Sequence, residues 1–281
     1  MVVIAAFVGA AASSAAAAVP KPATDTSSNW AGYTLTDTPT TPVAFTRATA
    51  TWKQPALTCG AGAARSAIWV GLGGVDTTSG ALAQLGTNGN CGSGKAQYNA
   101  FYDVIPDPGV ILKRFPIKAG DIIPATVSTA QGGAVAQFRI ENLTSKLGVK
   151  GSVPVSPGER HSAEWIIEAP AGCNAAGCEQ ADLANFGAVS FSKVATVGNG
   201  HSGTVLDRRW RATAISMRPP LSQIAATGLS HGAVPAALAA DGGSFKVEWR
   251  AHTAIVTPPA ANKPATAKPK HPYIAGLRSS S

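Results

Sequence analysis

Two carboxylates stand four residues apart in Ala163-Glu164-Trp165-Ile166-Ile167-Glu168. In an extended strand Glu164, Ile166 and Glu168 share one face, and Trp165 and Ile167 take the other. Two acids on one strand face are out of place in a core and suit a cleft. A Glu can act as general base on a water and later return the proton to a leaving amine. The same pair read as a glycosidase dyad fits poorly. Residues four apart on a strand lie roughly 13 Å apart at Cα, against about 5–5.5 Å between retaining carboxyls and about 6.5–9.5 Å between inverting ones.

Other chemistries find less support. There is no His-Glu-x-x-His helix signature. The five histidines fall in loop-like contexts, and no serine is marked as their nucleophilic partner. Gly71-Leu72-Gly73-Gly74 precedes no helix and reads as turn chemistry. Val75-Asp76-Thr77-Thr78 is similar to the Asp-Thr-Gly loop of aspartic peptidases, but no second copy follows it to supply a partner carboxylate. Cys59, Cys91, Cys173 and Cys178 have no Cys-x-x-Cys spacing and no nearby His pair, so no metal site is expected. Two disulfides are expected instead, with Cys173 and Cys178 closing a small loop and Cys59 left for Cys91.

The elements that must carry these residues are strands. Signals recur between Gly, Pro, Asn and Ser at 44–52, 66–72, 96–105, 121–129, 134–141, 163–168, 186–194, 210–218 and 244–250. Alternation is clearest over 134–141, where Ala136, Phe138 and Ile140 share one face. Pro124 marks 121–129 as an edge or bulged strand, and 233–240 allows a helical turn. Many short strands and little helical periodicity specify an all-β chain, a sandwich or a barrel. Asn142-Leu143-Thr144 reads as a turn after a strand in preference to a glycosylation site.

The 281 residues are 45% apolar and only 14% charged, with net charge +8 and mean hydropathy +0.09. That excludes a charge-driven disordered chain, and the paucity of Glu, Lys and Leu disfavours helical bundles. Residues 1–26 read as an export signal, its apolar run too short to span a bilayer, plus a short linker. Residues 27–256 form one β domain, and 257–281 a Pro/Lys-rich disordered tail. Four of the net positive charges, Lys263, Lys268, Lys270 and Arg278, lie in that tail, which suits weak adhesion to an anionic surface. No motif for reading nucleic acid occurs. A secreted monomer without cofactor is the expectation.

An ordered set of segments is more specific than any of these. It runs Ser28-Asn29-Trp30-Ala31-Gly32-Tyr33, Ile68-Trp69-Val70-Gly71, Ala83-Gln84-Leu85-Gly86, Tyr98-Asn99-Ala100-Phe101-Tyr102-Asp103, then Ala163 to Glu168, Cys173 to Cys178, and Asn185-Phe186-Gly187. In order and spacing it resembles the glutamic peptidases, or eqolisins, over about residues 27–220. The resemblance implies a β-sandwich of two large antiparallel sheets whose concave face forms a substrate groove, and endopeptidase activity at acidic pH. It places the family's catalytic Gln on Gln84 and its catalytic Glu on Glu168. Trp69, Glu164, Tyr102 and Asp103 are candidates for the groove. The family's acids are replaced at three positions, by Gly73, Asn88 and Asn99. Those losses leave room for a second reading, a noncatalytic carbohydrate- or peptide-binding sandwich.

Overall fold

A computed structural model describes residues 20–75, 82–174, 177–218 and 229–253. The export-signal residues, Asp76 to Thr78 and the 257–281 tail lie outside that set, as do the side chains of Cys173 and Cys178. Among the described residues there is no helix.

The strands of the N-terminal half are β1 (Ala23–Ser27), β2 (Trp30–Thr36), β3 (Phe45–Lys53), β4 (Ala64–Leu72), β5 (Ala83–Gly92), β6 (Lys95–Val104), β7 (Val110–Ile111), β8 (Ile122–Ala130) and β9 (Val135–Asn142). They are followed by β10 (Leu147–Pro154), β11 (Ser162–Glu168), β12 (Ala171–Asn174), β13 (Gly177–Gln180), β14 (Ala188–Gly198), β15 (His201–Gly203), β16 (Arg211–Met217), β17 (Leu229–Pro235) and β18 (Phe245–Thr253). All nine strand expectations correspond to strands. The expected helical turn at 233–240 does not form, because β17 takes Leu229–Pro235 into the sheet.

Hydrogen bonding runs without a break through β10-β9-β8-β3-β14-β18-β17-β16-β2-β11-β4-β5-β6-β7. The two layers are therefore halves of one curled antiparallel sheet. Across the interlayer space Trp165 Nε1 donates to Thr49 O at 2.9 Å, and Trp52 Nε1 donates to Thr87 Oγ1 at 3.1 Å. Buried indoles need such partners, since an unpaired N–H would cost about 1–3 kcal/mol. Ala136, Phe138 and Ile140 all face this core, as their alternation requires.

Pro124 corrects its expectation. β8 is an interior strand, and Pro124 pairs with Thr51 in an unbroken register. Its missing N–H is tolerated because the ladder to β9 starts only at Ala125. Asn142 makes the expected turn: its Oδ1 accepts from Thr144 N and Ser145 N, both at 3.1 Å, while its Nδ2 is buried against Asp121.

Ordered backbone begins before the boundary read at residue 27. β1 pairs in parallel with β16, which fixes the approach to Trp30. Cys59 and Cys91 are bonded across a separation of 32 residues. A loop of that length is worth about 3–4 kcal/mol by chain entropy. Cys173 stands directly opposite Cys178 in the β12–β13 hairpin.

Candidate active site

The face turned away from the interlayer core belongs to β2, β11, β4, β5 and β6. Register alone sets its side chains in three rows. Trp30, Glu168, Ala67, Asn88 and Asn99 form one; Gly32, Ile166, Trp69, Gly86 and Phe101 the next; Thr34, Glu164, Gly71, Gln84 and Asp103 the third. Glu168 and Gln84, 84 positions apart in sequence, thus arrive on one face with Trp69 in the row between them.

Two glycines make room for that indole. A Cβ at Gly71 would come within 2.8 Å of Trp69 Cζ3, and one at Gly86 would meet the β4 backbone at Ile68 O at 2.0 Å and Trp69 Cβ at 2.7 Å. Trp30 packs edge-on against Trp69 with ring centroids 5.0 Å apart. Trp69 is fully buried, so it forms the floor of the face instead of an open groove wall.

Glu168 is held from two sides. Its Oε2 accepts from Trp69 Nε1 at 2.9 Å, and its Oε1 accepts from Asn29 Nδ2 at 3.3 Å. Asn29 is in turn positioned by Ser27 Oγ at the end of β1. Burial pushes the Glu168 carboxyl up to about 8, against the opposing pull of the Trp69 donor, while the Asp103 charge raises it further.

Gln84 Nε2 donates to Asp103 Oδ2 at 3.1 Å. Gln84 Oε1 and Asp103 Oδ1 are buried without a hydrogen-bond partner among the described residues. Burial raises Asp103 to about 6, with the Gln84 contact opposing. An ionised carboxylate only accepts, so it fixes the amide with nitrogen toward Asp103 and oxygen away from it. The second N–H of the amide remains available.

Glu164 differs from its expected role. It is fully buried, and its Oε1 accepts from Gly74 N at 3.0 Å beside Ser162, which receives Gly74 N and Val75 N. It anchors the start of the β4–β5 connection instead of facing a substrate. Tyr102 is a plain correction. It neighbours Asp103 on β6 and so points to the other face, where its ring stacks on Phe138 at 5.0 Å. Asn88 Nδ2 donates to Asn99 Oδ1 at 2.9 Å. The part played by Ser27 had no sequence signal, since it depends on β1 pairing with β16.

The curled antiparallel sheet is the β-sandwich fold of the glutamic peptidases. The chain belongs to the Peptidase A4 family, whose model matches residues 28–227. It is 27% identical over 209 residues to aspergillopepsin-2 of Aspergillus niger, covering 64% of this chain and 70% of that protein. The crystal structure of scytalido-glutamic peptidase with a transition-state analogue superposes with a TM-score of 0.61 at 25% identity, covering 79% of this chain and 98% of that one. Aspergilloglutamic peptidase from Aspergillus niger shares the fold at 22% identity and a TM-score of 0.51, over 66% and 99% of the two chains. The chain is a glutamic endopeptidase, a hydrolase acting on peptides.

Proposed function

We propose that Glu168 and Gln84 form the catalytic dyad of an exported endopeptidase working at mildly acidic pH. One observation carries this reading: on either side of Trp69 stand a carboxyl held in place by donors and an amide whose oxygen lacks a partner. A water between them donates one proton to Glu168 and the other to Gln84 Oε1. The water oxygen attacks the peptide carbonyl carbon as Glu168 takes its proton. The free N–H of Gln84 donates to the developing oxyanion, a contact worth about 3–4 kcal/mol of barrier in comparable sites. Glu168 then delivers the proton to the amide nitrogen, and the C–N bond breaks. Asp103 holds the Gln84 amide in this orientation.

Two opposing dependences set the pH range. The base must be ionised, so activity climbs as pH approaches the raised Glu168 pKa of about 8. The buried acids resist ionisation, so the fold weakens over the same interval. The optimum falls on the acid side of that pKa, above the range of an ordinary Glu.

Support for a peptide substrate comes from scytalido-glutamic peptidase, which binds a peptide-based transition-state analogue. Support for export comes from the signal-like residues 1–19 and from the Cys59–Cys91 bridge, which suits an oxidising compartment. No described helix is long and apolar enough to cross a membrane.

The test is wild-type cleavage of a denatured protein between about pH 3 and 8, a range spanning ordinary and raised carboxyl pKa values, with new internal amino termini sequenced. Folded protein that cleaves nothing in that range would overturn the Glu168/Gln84 dyad and its mildly acidic working range. Trp69→Phe supplies a finer prediction. It keeps a ring but removes the donor to Glu168. A hydrogen bond to a charged group is worth about 1.5–3 kcal/mol, so kcat/KM should fall roughly 10–100-fold. The acid-side limb of the pH profile should also move upward, because the lost contact favours the ionised form. An unshifted limb would limit Trp69 to packing.

A further inference from the structure

The outer face of the other layer, on the far side of the core from Glu168, carries a second depression of about 530 Å³. Its volume lies within the range of ligand-binding clefts. Arg47, Arg139 and Lys150 line it. Register explains how residues from four adjacent strands, β3, β8, β9 and β10, meet there. Arg47 pairs with Ser128, Ser128 with Gln137 and Gln137 with Ser152, while Thr126 pairs with Arg139 and Arg139 with Lys150. The intervening Ala48, Val127 and Phe138 point into the core.

The charges are poorly compensated. Arg139 and Lys150 are direct cross-strand partners, an arrangement that destabilises a sheet when the charges are alike. Glu141 meets Arg139 at 2.5 Å. Arg47 and Lys150 have no ion pair among the described residues. Between the cations lie the hydroxyls of Thr126 and Ser128 and the amide of Gln137, groups that both donate and accept. Phe138, the one aromatic residue of the lining, is buried with its ring stacked on Tyr102, so nothing offers a platform for a nucleobase.

We infer that this depression is an exosite for an acidic polysaccharide, with Arg47, Arg139 and Lys150 taking carboxylates or sulfates and the hydroxyl and amide floor taking sugar hydroxyls. It would hold the peptidase on an anionic matrix with the Glu168 face turned away from that matrix. The cations are spread over three strands, β3, β9 and β10, which suits an extended polymer better than a single small anion.

The experiment uses the full chain. Binding to polygalacturonate is measured over a salt series for wild type, for R47Q/R139Q/K150Q, and for K263Q/K268Q/K270Q/R278Q as a control on the basic tail. The pocket variant should lose at least about tenfold in affinity and show a shallower dependence on salt, as expected when ion contacts are removed. Its cleavage of a short neutral peptide should match wild type, since none of the three residues lies on the Glu168 face. The tail variant should retain most of the binding. Unchanged polygalacturonate affinity in the pocket variant would overturn the inference. So would tighter pocket-dependent binding of poly-glutamate or single-stranded DNA, which would assign the face to acidic peptides or nucleic acid.

Discussion

Glu168→Gln is expected to reduce peptide hydrolysis by at least about a thousandfold while leaving the sheet folded. Positioned general acid–base catalysis is worth about 10²–10⁴-fold. The variant keeps shape and volume but removes the only atom pair on the face proposed to take a proton from water and return it. Two donors, Trp69 Nε1 and Asn29 Nδ2, point at the two carboxyl oxygens. A carboxamide has one oxygen for them, so a small local cost is expected, and intact folding must be confirmed by near-UV circular dichroism. Gln84→Ala should lose about 10²–10³-fold, the usual value of one oxyanion donor. The double variant should be little worse than Glu168→Gln alone, because groups serving one step do not add. A Glu168→Gln protein that is folded and cleaves within tenfold of wild type would remove Glu168 from the chemistry. A strong loss in Glu168→Gln with a mild one in Gln84→Ala would leave the base in place and shift oxyanion stabilisation elsewhere.

Much of this face is legible in the amino-acid sequence, for reasons of covalent geometry. Strand alternation alone places Glu164 and Glu168 on one side of β11 and Trp165 on the other. It also decides Tyr102 against Asp103, since neighbours on a strand cannot share a face. The resemblance marks both residues as groove candidates, and period-two reasoning separates them. Register between strands distant in the chain is not legible in this way. That Gly71 stands between Glu164 and Gln84, or that Asn29 reaches Glu168, follows from pairing across β2, β11, β4 and β5. Of the second layer β3, β8, β9, β14 and β18 are legible as strands, but β10 is not, and the layer is not legible as the other half of the same curled sheet because the end of β17 reads as a helical turn. Pro124 misleads for a related reason. A proline in an interior strand is allowed where one neighbouring ladder has not yet begun, and only the pairing reveals that.

Glu164→Gln should stabilise the protein at pH 8 by a few kcal/mol and do almost nothing at pH 4. Burial raises the Glu164 carboxyl to about 7, and the same cause raises Asp103 to about 6 and Glu168 to about 8. An unfolded Glu releases its proton near 4.5. Between that value and the raised one, the folded chain binds more protons than the unfolded chain, so stability falls as pH rises. Below about 4.5 both states hold the proton and nothing is lost; above the raised pKa the loss is complete. One pKa unit corresponds to about 1.4 kcal/mol, which puts a single buried acid of this kind at a few kcal/mol. Asp207, whose neighbours lower its pKa, acts only at and below the ordinary Asp range and does not oppose the fall. Glu164 isolates the effect well. Its Oε1 accepts from Gly74 N, which a Gln oxygen can still do. Urea unfolding at pH 4 and pH 8 should therefore show wild type losing stability across the interval and the variant losing less. Equal slopes in the two proteins would mean that Glu164 ionises without penalty and that the acid-side preference proposed for the enzyme rests on Asp103 and Glu168 alone.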